Sequence, residues 1–126
     1  MGRHEGLQRV RTLHHPDCGA IELTRVLYAL SDPVRLEIVR QLDREGAQTC
    51  NALDGGRPKS SMSHHFRVLR DSGVILTRTD GPSHMNELRR ADLDRMFPGL
   101  LAAVLNGGGA SRSLDGERSR PAAPSD

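Results

Sequence analysis

From Lys59 to Arg70 the chain reads Lys-Ser-Ser-Met-Ser-His-His-Phe-Arg-Val-Leu-Arg, and its polar side chains are all hydroxyls, imidazoles or cations. Between Arg57 and Arg70 there are four Lys or Arg and no Asp or Glu. On a helix of about 3.6 residues per turn, Met62, Phe66 and Leu69 share one face with His65 at its margin, while Ser60, Ser63, His64 and Arg67 lie opposite. A solvated helix face normally mixes both signs of charge; this one suits an anion. Serine, histidine and arginine hydrogen-bond phosphate oxygens and base edges, so the chemistry offered is nucleic-acid contact. Catalysis has little support. Adjacent His64 and His65 point about 100° apart on a helix and do not converge on one proton. The chain also has no phosphate-cradling Gly-x-x-x-x-Gly-Lys-Ser run, no Gly-x-Ser-x-Gly elbow and no His-Glu-x-x-His, which argues against an enzyme.

The flanking sequence supplies a frame for that helix. Leu23, Val26, Leu27 and Leu30 recur at i, i+3, i+4 and i+7 and predict an amphipathic helix. Asp32 followed by Pro33 reads as the N-cap and first residue of a second helix over about 33–44, which Gly46 ends. Ala47-Gln48-Thr49 suits a short extended piece, and Cys50 to Leu53 opens a further helix. Asp54-Gly55-Gly56-Arg57-Pro58 is the turn into the basic helix, and Gly73 stops that helix as a C′ glycine does. Residues 74–79 and 84–88 are strand-like on either side of Asp80-Gly81-Pro82-Ser83, a hairpin whose tip region holds Arg78. Leu93, Met96, Phe97, Leu100, Leu101, Val104 and Leu105 continue a helical stripe that Pro98 must break, with Asn106-Gly107-Gly108-Gly109 as its end.

A chain of 126 residues makes one domain plus tails. The expected organisation is a flexible segment over 1–20, a folded unit over 21–106 and a disordered tail over 107–126. With two Phe, one Tyr and no Trp the core must be aliphatic, and a second copy would help a chain that buries so little. The formal charge is only +2, so local clustering, not the total, points to nucleic acid. No apolar run approaches the roughly 20 residues of a membrane span, and no signal peptide opens the chain, which predicts a cytoplasmic protein. Two cysteines there are expected to be free thiols. His14, His15, Cys18 and Cys50 are the donors available to an improvised zinc or copper(I) site, and Cys18 with Cys50 to a redox switch.

Residues 61–75, Ser-Met-Ser-His-His-Phe-Arg-Val-Leu-Arg-Asp-Ser-Gly-Val-Ile, resemble the recognition helix of the ArsR/SmtB family, and residues 29–39, Ala-Leu-Ser-Asp-Pro-Val-Arg-Leu-Glu-Ile-Val, match a second family motif. The resemblance spans roughly residues 21 to 105. It implies a winged helix-turn-helix, mostly α with a small β wing, dimeric through N- and C-terminal helices and bound to a palindromic operator in double-stranded DNA, most simply as a repressor. Lys59, Ser60, Ser61, Ser63, His64, His65, Arg67, Arg70 and Arg78 are then the expected DNA contacts, with His65 equally suited to a half-buried, hydrogen-bonded role. Leu23, Leu27, Leu100, Leu101, Val104 and Leu105 are the expected homodimer interface. The metal-sensing sets of the family do not carry over. Where thiolate sensors have Cys-x-Cys this chain reads Thr49-Cys50-Asn51, and where zinc sensors have Asp, His, His and Glu, residues 90–106 contain no His. No metal and no cofactor is therefore expected, and the residues name no inducer. The alternatives are a winged-helix module for protein–protein contact without DNA binding, and a metal- or redox-sensing repressor using Cys18 and Cys50.

Overall fold

Asp32 shows how tightly local sequence sets the helices. Its Oδ2 accepts from the backbone N–H groups of Val34 at 2.9 Å and Arg35 at 3.0 Å, satisfying two donors that a helix start leaves without partners. Helix α1 (Leu23–Leu30) runs into this corner and α2 (Pro33–Glu45) leaves it, with Pro33 in the first turn. The computed structural model describes residues 10–114, with side chains over 13–79 and 81–107.

Strand β1 (Val10–Thr12) and a 3-10 turn (Cys18–Ala20) precede α1. Gly46 closes α2 at φ 83°, and β2 (Gln48–Thr49) leads into the four-residue α3 (Cys50–Leu53), capped by Thr49 through the N–H of Ala52 at 3.2 Å. Gly55 and Gly56 follow at φ 59° and 81°, a doubly left-handed turn that keeps α3 short. Helix α4 (Lys59–Asp71) ends at Gly73, where the N–H of Val74 reaches the carbonyl of Leu69 at 3.0 Å. Strands β3 (Ile75–Asp80) and β4 (Ser83–Leu88) form the hairpin, then α5 (Arg90–Met96) and α6 (Leu100–Leu114) follow on either side of Pro98.

The four strands lie in the order β1-β3-β4-β2, every pair antiparallel. Asp80 pairs with Ser83, so the wing turn is Gly81-Pro82. The core is aliphatic apart from Met62 and Phe66: Val26, Ala29 and Leu30 of α1 meet Ile38, Val39 and Leu42 of α2, with Leu69, Ile75, Leu93 and Leu101. The fold is mostly helical with a small sheet, as the sequence predicts.

Two boundaries differ from expectation. The segment expected to be flexible over 1–20 is structured from Val10, because β1 pairs with the open edge of β3, with Val10 opposite Asp80 and Thr12 opposite Arg78. The last helix does not stop at Asn106 but continues to Leu114, since glycines cost a helix about 1 kcal/mol each without barring helical dihedrals. The rest of both expected tails, residues 1–9 and 115–126, lies outside the described residues. Among the described residues no helix is long and apolar enough to cross a membrane.

Candidate nucleic-acid interface

Helix α4 presents the acid-free face that its sequence promised. Met62, Phe66 and Leu69 are buried, and Ser60, Ser61, Ser63, His64 and Arg67 are exposed. No side chain caps its first turn, whose positive dipole end lies beside Arg57 and Lys59. The Lys59 ammonium donates to Asn51 Oδ1 at 2.7 Å and lies 4.0 Å from Asp54 Oδ2, so it bridges α4 to the turn after α3 while staying exposed. Arg70 is half-buried at the far end of the helix. Short hydroxyls at the start, an imidazole and a guanidinium one turn apart, and cations at both ends form a surface that can seat phosphates and reach base edges.

His65 is placed elsewhere. Its ring is turned inward against the α1–α2 corner, where Nδ1 lies 3.2 Å from Arg35 Nη1 and 3.9 Å from Asp32 Oδ2. Arginine only donates, so His65 Nδ1 accepts and the ring is neutral with its proton on Nε2. Burial pushes its pKa below the usual histidine value; Asp32 opposes that shift and Arg35 adds to it. The buried Arg35 also donates from Nε to the carbonyl of Ala29 at 2.8 Å and from Nη2 to that of Tyr28 at 3.2 Å, satisfying two carbonyls at the end of α1. Of the two roles open to His65 in the sequence, the geometry favours the hydrogen-bonded one. Its position at the margin of the apolar face was the signal.

Arg78 has a partner within the hairpin. It pairs with Met85, two residue pairs back from the turn, and its guanidinium is held by Glu87 at 2.8 Å on the neighbouring strand. Sequence spacing could not show this cross-strand partner. His84 is among the side chains exposed near the tip, and sequence reasoning missed it.

The candidate metal donors are not gathered. His14 is exposed. His15 accepts from the N–H of Thr77 through Nε2 at 2.8 Å, and burial, then the charge of Arg89, lowers its pKa. Cys50 Sγ lies 3.3 Å from Asn86 Nδ2, while Cys18 Sγ approaches the carbonyl of Asp92 at 3.9 Å. Asp92 and Asp94 are occupied by Arg89 and Arg90. No three of the His, Cys, Asp and Glu side chains among the described residues form a group that could hold a metal ion. His15 and Cys50 instead end a hydrogen-bonded chain through the fully buried Thr77 and Asn86, whose side chains meet at 2.7 Å, a network unseen in the sequence.

The expected dimer surface divides in two. Leu23 and Leu27 are each 44% exposed, with Tyr28 at 59% beside them. Leu100 and Val104 are half-buried. Leu101 and Leu105, at 2% and 8%, belong to the protomer's own core and are withdrawn from the interface list. A stripe of leucines reveals apolarity, not what covers it.

Residues 30–78 match a helix-turn-helix domain family. The chain is 36% identical over 74 residues to an arsenical resistance operon repressor of Staphylococcus xylosus, covering 58% of this chain and 71% of that one. It is 35% identical over 80 residues to a repressor of the same description from Staphylococcus aureus, covering 63% and 77%. In fold it is similar to the crystal structure of an ArsR family transcriptional regulator, with TM-score 0.53 and 24% identity over 76% of this chain and 98% of that one.

Proposed function

Because the chain belongs to the ArsR family of winged helix-turn-helix transcriptional regulators, we propose that it represses transcription by binding a palindromic operator in double-stranded DNA as a homodimer. It is a DNA-binding regulator and not an enzyme, as its relatives are transcriptional repressors. The observation that carries the finer reading is the exposed face of α4, which has hydroxyls, His64 and Arg67 and no carboxylate before Asp71. In this reading Ser60, Ser61, Ser63 and His64 meet base edges and phosphates in the major groove, and Lys59, Arg67 and Arg70 neutralise the backbone. The exposed leucines of α1 with Leu100 and Val104 of α6 pair across a two-fold axis, which an operator of matching symmetry would mirror.

Selection of bound duplexes from a randomised pool tests this. A palindromic consensus is expected, with His64→Ala losing roughly 1–3 kcal/mol at one position of it. Arg67→Ala is expected to weaken all sequences alike and to make the log-linear salt slope shallower by about one unit. A protein that selects no sequence, or whose affinity ignores salt, would instead be a module for protein contact.

A further inference from the structure

The Arg35 guanidinium has no freedom to retreat. Its Nε and Nη2 are committed to the carbonyls of Ala29 and Tyr28 at 2.8 and 3.2 Å, and its carbon lies 5.1 Å from the centre of the Tyr28 ring. Only Nη1 remains, and it meets His65 Nδ1 at 3.2 Å. That contact joins the α1–α2 corner to the middle of α4. We propose that His65 is a positioning residue whose unprotonated Nδ1, held by Arg35, seats the recognition helix, so that proton uptake at this nitrogen weakens DNA binding. The proposal rests on the reading of α4 as the DNA-contacting helix.

The chemistry is a simple exchange of roles. A proton taken from solvent turns Nδ1 from acceptor to donor, and an imidazolium then faces a guanidinium at hydrogen-bond distance. The one acid facing the ring is Asp32, whose Oδ2 is 3.9 Å away and already accepts from Val34 and Arg35 N–H groups. His64 lies with its ring 5.8 Å off on the same helix, and Arg57 in the preceding turn adds positive charge. Tyr28 closes the α1 side behind Arg35. Protonated His65 is thus drawn from a fixed Arg35 towards an occupied carboxylate, and what yields is α4 itself. Desolvation, which lowers the pKa of His65, acts in the same sense by favouring the neutral ring. Lengthening one contact at the middle of a reading helix displaces His64 and Arg67, which must meet fixed atoms on DNA.

The test compares wild type, His65→Asn and His65→Leu on a duplex recovered from a randomised pool with wild type at pH 8. Asparagine offers its amide oxygen where Nδ1 stood and cannot titrate; leucine offers nothing. At pH 8 His65→Asn is expected to bind within about twofold of wild type, and His65→Leu at least about tenfold more weakly, as loss of a buried partner implies. Between pH 8 and pH 5.5 the ratio of wild-type to His65→Asn dissociation constants is expected to rise roughly fivefold, a fraction of the tenfold that one pKa unit of linkage gives. Taking the ratio cancels the titration of His64 and the other histidines. Parallel pH profiles, or a leucine variant as tight as wild type, would overturn the proposal. Nitrogen NMR of the ring gives a reading independent of DNA: an Nε2–H tautomer at pH 8 is expected, and an Nδ1–H tautomer refutes it. Should wild type bind no duplex, the reading of α4 fails, while the tautomer still decides whether Arg35 holds the ring.

Discussion

Leu27 of α1 and Leu101 of α6 each belong to an apolar helical stripe and are expected to fail in opposite ways when changed. Leu27 is 44% exposed in the protomer, so Leu27→Glu barely touches the core. In a dimer each copy would withdraw that exposed fraction from water, about 1–2 kcal/mol per copy at 25 cal/mol per Å². The variant loses this twice and asks the interface to bury two carboxylates without partners, each costing about 1–3 kcal/mol on mutational scales. Together these terms should raise the dimer dissociation constant by roughly a thousandfold or more, at about 1.4 kcal/mol per tenfold. Leu101, only 2% exposed, is different. Leu101→Ala leaves a cavity and is expected to cost about 2–5 kcal/mol of protomer stability.

Sedimentation velocity from nanomolar to micromolar protein, paired with urea unfolding of each variant, separates the two. The expected outcome is a folded Leu27→Glu monomer with lost operator affinity and a destabilised Leu101→Ala that still dimerises while folded. A Leu27→Glu protein that sediments like wild type, or a wild type monomeric at micromolar concentration, would refute the assignment of the α1 face to the interface.

Arg78→Ala is expected to change operator affinity less than about threefold and to leave the salt slope within half a unit of wild type, because Glu87 already neutralises the guanidinium; filter binding over a salt series checks this. Zinc, cadmium, arsenite and copper(I) are each expected to shift operator affinity less than about fivefold, the lower edge of typical coupling, and a tenfold shift abolished by Cys18→Ser/Cys50→Ser would reveal a working metal site. Gly73→Ala should cost roughly 2–4 kcal/mol in urea unfolding, since φ is +89° and an added Cβ would come within 2.7 Å of Ile21 Cγ1. His15 has a lowered folded pKa, so its contribution to stability is present above its ordinary value of 6.5 and is lost as pH falls through the folded value. His15→Gln, which keeps an acceptor for the Thr77 N–H, should therefore flatten the fall in melting temperature below about pH 6.5.

What the sequence made legible were features whose causes are local. Asp32-Pro33 starts a helix because a carboxylate and a missing N–H solve the same end problem, and both do so here. Gly46 and Gly73 end helices at positive φ, and the Gly55-Gly56 pair accounts for a four-residue α3. The exposed face of α4 followed from periodicity alone. What stayed hidden depends on partners far along the chain. β1 has three residues with no strong pattern and exists because β3 offers an open edge. Arg78 looked free until Glu87 was placed diagonally from it on the neighbouring strand, and Leu101 looked like Leu27 until α6 was packed. Asn86 gave no signal, because a polar residue inside a strand reads as outward-facing unless its partners Thr77 and Cys50 are known.

The two stretches that carried the family resemblance are separate in sequence and joined in space. Arg35 lies in the first and His65 in the second, thirty residues apart, and their side chains meet at 3.2 Å. Asp32, also in the first, caps α2 and faces the same imidazole. The two stretches thus meet at a joint between α4 and the α1–α2 corner, built from the buried Arg35 and the half-buried Asp32 and His65. In the reading proposed above, the exposed Ser60, Ser63, His64 and Arg67 around that joint meet the operator, and sequence choice rests on the first three. Exchanging those four outward residues for those of a relative should therefore transfer operator preference with little change in melting temperature, whereas exchanging Arg35 or His65 alone should lower stability without conferring a new preference.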